Sequence, residues 1–124
     1  MTCEQPIESL PDRCDLAVVR GTDNSFEVTL TDGENPIDIS AADVKLTVVS
    51  EPGESPPVFE QTNAAGSHSD PTNGRTVFSL SKATTELASQ DLDSFWQFEI
   101  RRIEGGEEFV HIEGALTVKR GLGI

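Results

Sequence analysis

Apolar and polar residues alternate one for one in run after run of this chain, and that period restricts the fold to sheet. Phe26, Val28 and Leu30 are interleaved with Glu27 and Thr29, Val44, Leu46 and Val48 with Lys45 and Thr47, and Trp96, Phe98 and Ile100 with Gln97 and Glu99. A period of two puts one set of side chains on a core face and the other in water. Turn chemistry bounds the runs: Gly21 to Asn24, Asp32-Gly33, and the proline-rich stretch from Glu51 to Pro57. Proline cannot donate to a strand ladder, so the last of these is a firm stop.

The same reasoning predicts strands at Cys14–Arg20, Val58–Thr62 and Thr76–Leu80. Another runs from Phe95 to Ile103, turns through a tight hairpin at Gly105-Gly106, and returns over Glu108–Lys119. On the return, Val110, Ile112, Leu116 and Val118 are expected to face the core. Gly114 falls in their series and marks a bulge or a close approach. The core is therefore expected to hold Phe26, Val28, Leu30, Leu46, Val48, Phe78, Leu80, Trp96, Phe98, Ile100, Ile112, Leu116 and Val118. Ser81–Ala88 is the one helix candidate, with Ser81 as its N-cap. Its two turns would need tertiary support.

About seven strands and one short helix fit an Ig-like antiparallel β-sandwich. The expected organisation is an irregular N-terminal arm over 1–13, a sandwich domain over 14–120 and a C-terminal tail over 121–124. The stretch from Asn63 to Gly74 is rich in Asn, Ser and Gly and reads as a mobile loop.

A chain of 124 residues is one domain by size. Its net charge is -13, from 22 acidic and 9 basic residues. The acids are scattered along the sequence. That balance argues against nucleic acid, whose phosphates need clustered Lys and Arg, and against an anionic membrane. Residues 1–6 lack the basic and apolar regions of a signal peptide. No apolar run approaches the roughly 20 residues that span a bilayer. A soluble, non-exported product is the expectation. Cys3 and Cys14 are the two cysteines. Two free thiols are expected, with a local disulfide as the alternative.

The inventory of chemistry is thin. His68 lies in the polar loop and His111 on the outward phase of the last strand. Neither has a Ser, Cys or acid at triad spacing. Asp32-Gly33-Glu34-Asn35 clusters oxygens of the kind calcium takes, but lacks the length and spacing of an EF-hand and reads as a polar hairpin turn. Asp91 and Asp93 read as a turn before the Trp96 strand. No catalytic residue, metal ligand set or cofactor is expected, and an enzyme is set aside. Trp96 reads as core rather than as a sugar-stacking platform. Phe95 and Phe109 fall on the opposite phase, where outward aromatics flanking the hairpin stems could pair across strands and mark a contact surface. Ile7 and Leu10 of the arm are further contact candidates, since an extended arm can seat side chains in a neighbour's groove or pair with an open edge.

The order of turns also resembles a known family. Arg20-Gly21-Thr22 precedes an alternating strand. Pro36-Ile37-Asp38-Ile39-Ser40-Ala41-Ala42 matches a Pro-Ile-Asp-Leu-Ser/Thr-Gly-Ala turn, with Ala41 where Gly is usual. A strand runs into a short Ala/Thr/Leu helix between Leu80 and Ala88. The last strand carries Gly114-Ala115-Leu116-Thr117-Val118. Over residues 18–120 this is similar to small virion proteins of tailed bacteriophages, in particular the N-terminal domain of phage baseplate upper proteins and related tail and head accessory proteins. The first 14 residues have no counterpart in that pattern. The resemblance implies a structural role in a virion, made in the host cytoplasm, with other virion proteins and further copies of itself as partners. It brings no site residues with it. A carbohydrate-binding or adhesive Ig-like module is the rival reading.

Overall fold

A computed structural model describes residues 2–4, 12–32, 35–51 and 57–120. The strands are β1 (Thr2–Glu4), β2 (Asp12–Arg13), β3 (Leu16–Val19), β4 (Asn24–Thr29), β5 (Asp43–Val49), β6 (Phe59–Asn63), β7 (Arg75–Leu80), β8 (Ser94–Glu104) and β9 (Glu107–Lys119). A 3-10 turn at Pro71–Asn73 precedes β7, and the short helix α1 (Lys82–Thr85) follows it. The chain is mostly β, as the alternation requires.

The strands form a three-stranded sheet in the order β1-β4-β7 and a six-stranded sheet in the order β2-β9-β8-β5-β6, with β3 also on β9. Neither sheet is purely antiparallel. β1 lies parallel to β4, and β2 and β3 lie parallel to β9. The expectation of antiparallel pairing throughout fails at the N-terminal segment, where strand partners come from far along the chain rather than from a hairpin neighbour. Residues 1–13, read as an irregular arm, thus contribute two short paired stretches. Ile7, Leu10 and the tail 121–124 lie outside the described residues.

Each sheet buries one face. All thirteen side chains expected in the core are buried, and they belong to a single cluster. Leu16, Val18, Ile39, Ala42, Val44 and Ala88 complete it. Ile39 and Ala42 enter through the turn after Pro36. Asp38 accepts from the Ser40 backbone N–H (2.9 Å) and hydroxyl, and Ala42 N–H bonds Ile39 O at 3.0 Å. No described non-glycine residue has a positive φ, so Ala41 sits in place of the usual glycine without strain.

β9 departs from its expected phase. Ile100 pairs with Ile112 but Arg101 pairs with Val110, so His111 is an extra residue in a bulge. Beyond it the alternation reverses. Val110 leaves the core series and His111 is buried, at 6% exposure. Both earlier placements are therefore corrected by one inserted residue. Gly114 is a close approach: a Cβ there would lie 2.7 Å from the Cys14 carbonyl carbon and overlap its oxygen.

α1 is half the expected length. Ser81 does cap it, accepting from Thr84 N–H at 3.2 Å. It stops early because the next turn tightens to i→i+3 bonds, Leu87 N–H to Thr84 O (3.1 Å) and Ala88 N–H to Thr85 O (3.2 Å); Arg20 then holds the end, Nε donating to Ala88 O (3.0 Å) and Nη2 to Glu86 O (3.1 Å). Cys14 is disulfide-bonded and no described cysteine is free, which overturns the expectation of free thiols. The chain's other cysteine is Cys3.

Where the edges of the two sheets meet, β6 is joined to β7 by side-chain amides. Asn63 Nδ2 donates to Val77 O (2.8 Å), and Gln61 Oε1 accepts from Ser79 N–H (3.2 Å). On its other side β7 pairs with β4.

Candidate interaction surface

Both histidines turn out to be structural. The loop after β6 is not a loose connection. Nε2–H of His68 donates to Ala42 O (2.7 Å), and Nδ1 meets Thr76 Oγ1 (3.0 Å). Asn63 Nδ2 also donates to Thr76 Oγ1 (2.7 Å). A carbonyl can only accept, so a proton sits on Nε2, and Nδ1 has the Thr76 hydroxyl as its partner. This chain of bonds satisfies a hydroxyl and an imidazole that would otherwise be buried at a cost. Backbone bonds from Leu30 N–H to Gly74 O (2.8 Å) and from Ile39 N–H to Pro71 O (2.9 Å) hold the rest of the loop. The mobile reading of Asn63–Gly74 gives way to an anchored one.

His111, expected outside, sits under Arg102. Arg102 Nε donates to His111 Nε2 at 3.1 Å, and Nη1 pairs with Glu104 at 3.1 Å. Burial, followed by the Arg102 charge, pulls the imidazole down to about 4. The guanidinium also lies 4.5 Å from the centre of the Phe109 ring. Phe109 therefore has partners within its own chain, a cation–π contact and the His111 ring at 6.4 Å.

The two outward phenylalanines do not pair. Phe95 opposes Thr117 at one end of the β8–β9 ladder, and Phe109 opposes Arg102 near the hairpin. The bulge puts them on different faces. Phe95 is 69% exposed and Phe109 38%. Of the two candidate contacts among the described residues, Phe95 is the more open.

Phe95 belongs to the solvent face of the six-stranded sheet, whose rows can be read from the register. Ala17, Thr117 and Phe95 form one row, and Val19 lies two positions further on β3. The next rows are Ala115–Gln97–Val49 and Arg13–Glu113–Glu99–Thr47. The face thus grades from apolar to charged. A groove of about 520 Å3 crosses it, lined by Arg13, Thr47, Gln97, Glu99, Arg101 and Glu113. Arg13 pairs with Asp15 at 3.2 Å, and Arg101 pairs with Glu99 and with Glu108 at 3.6 Å. The Glu99 contact holds the Arg101 guanidinium above its ordinary range. Sequence reasoning placed Gln97 and Glu99 on the outer face. It could not place Arg13, Ala17 and Val19 beside them, because that requires the parallel register of β2 and β3 on β9, nor set Glu113 opposite Glu99, which depends on the bulge.

Among the described residues no group of three or more His, Cys, Asp or Glu side chains is arranged to hold a metal, and no helix is long and apolar enough to cross a membrane. The surface combines an apolar end with a polar groove, and the strands fix both.

These features define an all-β chain of two sheets around one core. Its fold is similar to that of the N-terminal domain of phage TP901-1 ORF48, with a TM-score of 0.59 at 12% identity, over 96% of this chain and 97% of that one. No protein-family model matches the chain, and no curated protein does.

Proposed function

We propose that this chain is a non-enzymatic structural component of a tailed-phage virion, in the tail, baseplate, neck or capsid decoration. It acts through protein–protein contacts in repeated copies, and its two sheets form an Ig-like sandwich. The observation that carries the reading is the end-to-end likeness to a domain of a phage protein, 96% of one chain on 97% of the other. The turn pattern around Pro36–Ala42 and Gly114–Val118 points the same way. Both histidines are committed to holding the fold, which supports a contact role over a catalytic one. Modest affinity per copy suffices in such a setting, because simultaneous contacts multiply it. Mass spectrometry of purified particles from the source phage tests this. The chain is expected at a fixed copy number; particles without it would end the structural reading.

A further inference from the structure

We propose that the solvent face of β5, β8 and β9 is the docking surface for a different protein of the same particle, one presenting an arginine or lysine beside an apolar side chain. The basic group sits in the groove at Glu113, and the apolar one packs on Phe95 and Val19. This rests on the virion reading above and names the kind of partner.

Three observations carry it. First, the charges of the groove do not close among themselves. Arg13 is engaged with Asp15, and Arg101 with Glu99 and Glu108. Glu113 is exposed and stands in its row between Arg13 of β2, which is turned to Asp15, and Glu99 of β8. Its carboxylate has no hydrogen bond or ion pair among the described residues. Like charges facing each other across strands are destabilising. A cation placed between them removes that repulsion and completes the set. Second, the apolar end adjoins the charged groove on one continuous face. An aromatic anchor with a charged margin is the anatomy of a protein interface. Third, the chain carries a net charge of -13. A second copy approaching this face brings the same excess of acid, so a basic partner is favoured over self-association here.

The test uses full-length chain in assembled particles. Hydroxyl-radical footprinting compares Phe95 in the free chain and in the particle. Quantitative mass spectrometry counts copies of wild type, Glu113→Lys, Glu113→Gln, and Glu27→Lys, a charge reversal of equal size on the other sheet. Protection of Phe95 on assembly is expected. Glu113→Lys is expected to lower the copy number about tenfold, equivalent to about 1.4 kcal/mol of contact. Glu113→Gln should fall in between and Glu27→Lys should incorporate normally. Equal reactivity of Phe95 in both states, or full incorporation of Glu113→Lys, overturns the docking surface and leaves the virion role standing. Absence of the wild-type chain from particles overturns the virion role, and this surface with it.

Discussion

Replacing Gly114 by alanine should cost about 3 kcal/mol, far more than an added methyl group usually does in a strand. The new Cβ would lie 2.7 Å from the Cys14 carbonyl carbon, overlap its oxygen and stand 3.2 Å from Asp15 Oδ1. The nearest obstacle is backbone, so no rotamer change relieves it; the segment joining β2 and β3 must move away from β9. That movement breaks the bond from Cys14 N–H to Glu113 O (3.0 Å) and the bond from Ala115 N–H to Asp15 Oδ1 (3.0 Å). Each contributes about 1 kcal/mol. It also loosens Leu16 and Val18, buried at 5% and 6% exposure, for roughly 1–2 kcal/mol more. Removing glycine from the unfolded chain returns about 0.4–1 kcal/mol in the other direction. Urea unfolding of Gly114→Ala against wild type measures the difference. Gly106→Ala serves as the control: its φ is 82° with open space around it, so only conformational strain of about 1 kcal/mol applies. A loss at Gly114 no greater than at Gly106 would refute the close-approach argument.

Trp96→Ala should cost roughly 3–5 kcal/mol in urea unfolding, since the indole is buried in the shared core; less than about 1 kcal/mol would be inconsistent with that burial. His111 gives stability a pH dependence. Its folded pKa of about 4 lies below the ordinary 6.5, so its contribution is complete above pH 6.5 and is lost as the pH falls towards 4. The loss is at most about 3 kcal/mol. His111→Gln, which keeps an acceptor for Arg102, should flatten that part of the stability–pH curve; an unchanged curve would show that another group is responsible. Gln61→Ala should raise the exchange rate of the Ser79 amide measurably, with global stability falling by only about 1 kcal/mol. Unaltered exchange would mean that the bond does not persist in solution.

What could be read from the residues and what could not differ for physical reasons. Phe26, Phe78, Trp96 and their neighbours were legible because period-two alternation is local and each strand carries its own copy of the signal. His111 and Val110 were misplaced because a bulge of one residue reverses the phase of all that lies beyond it, and nothing in Glu108–Glu113 marks the site. His68 does lie in the loop, as read; its burial was missed, yet a hint was present. Thr76 occupies the core phase of Thr76-Phe78-Leu80, and a hydroxyl there demands a partner. The parallel docking of β1, β2 and β3 had no local signature, since it depends on strands up to about 100 residues away. Hence the groove row Arg13–Glu113–Glu99 was invisible in the sequence, although Glu99 was read on the outward phase of its strand.

The amide stitches at the β6–β7 seam carry a further consequence. An unpaired strand edge is a template on which another chain can grow a ladder, and crowded proteins with such edges polymerise or precipitate. Here the Asn63 amide donor and the Gln61 carbonyl oxygen already occupy positions on β7 that an intruding strand would need. The seam is capped in part by side chains in place of backbone, so an acceptor and a donor of this edge are taken before a second molecule arrives. Aspartate in place of Asn63, as slow deamidation would produce, removes the donor and sets a negative charge against the Val77 carbonyl. That single chemical step would reopen the edge, and ageing preparations of this protein should then lose solubility through β7 before they lose their core.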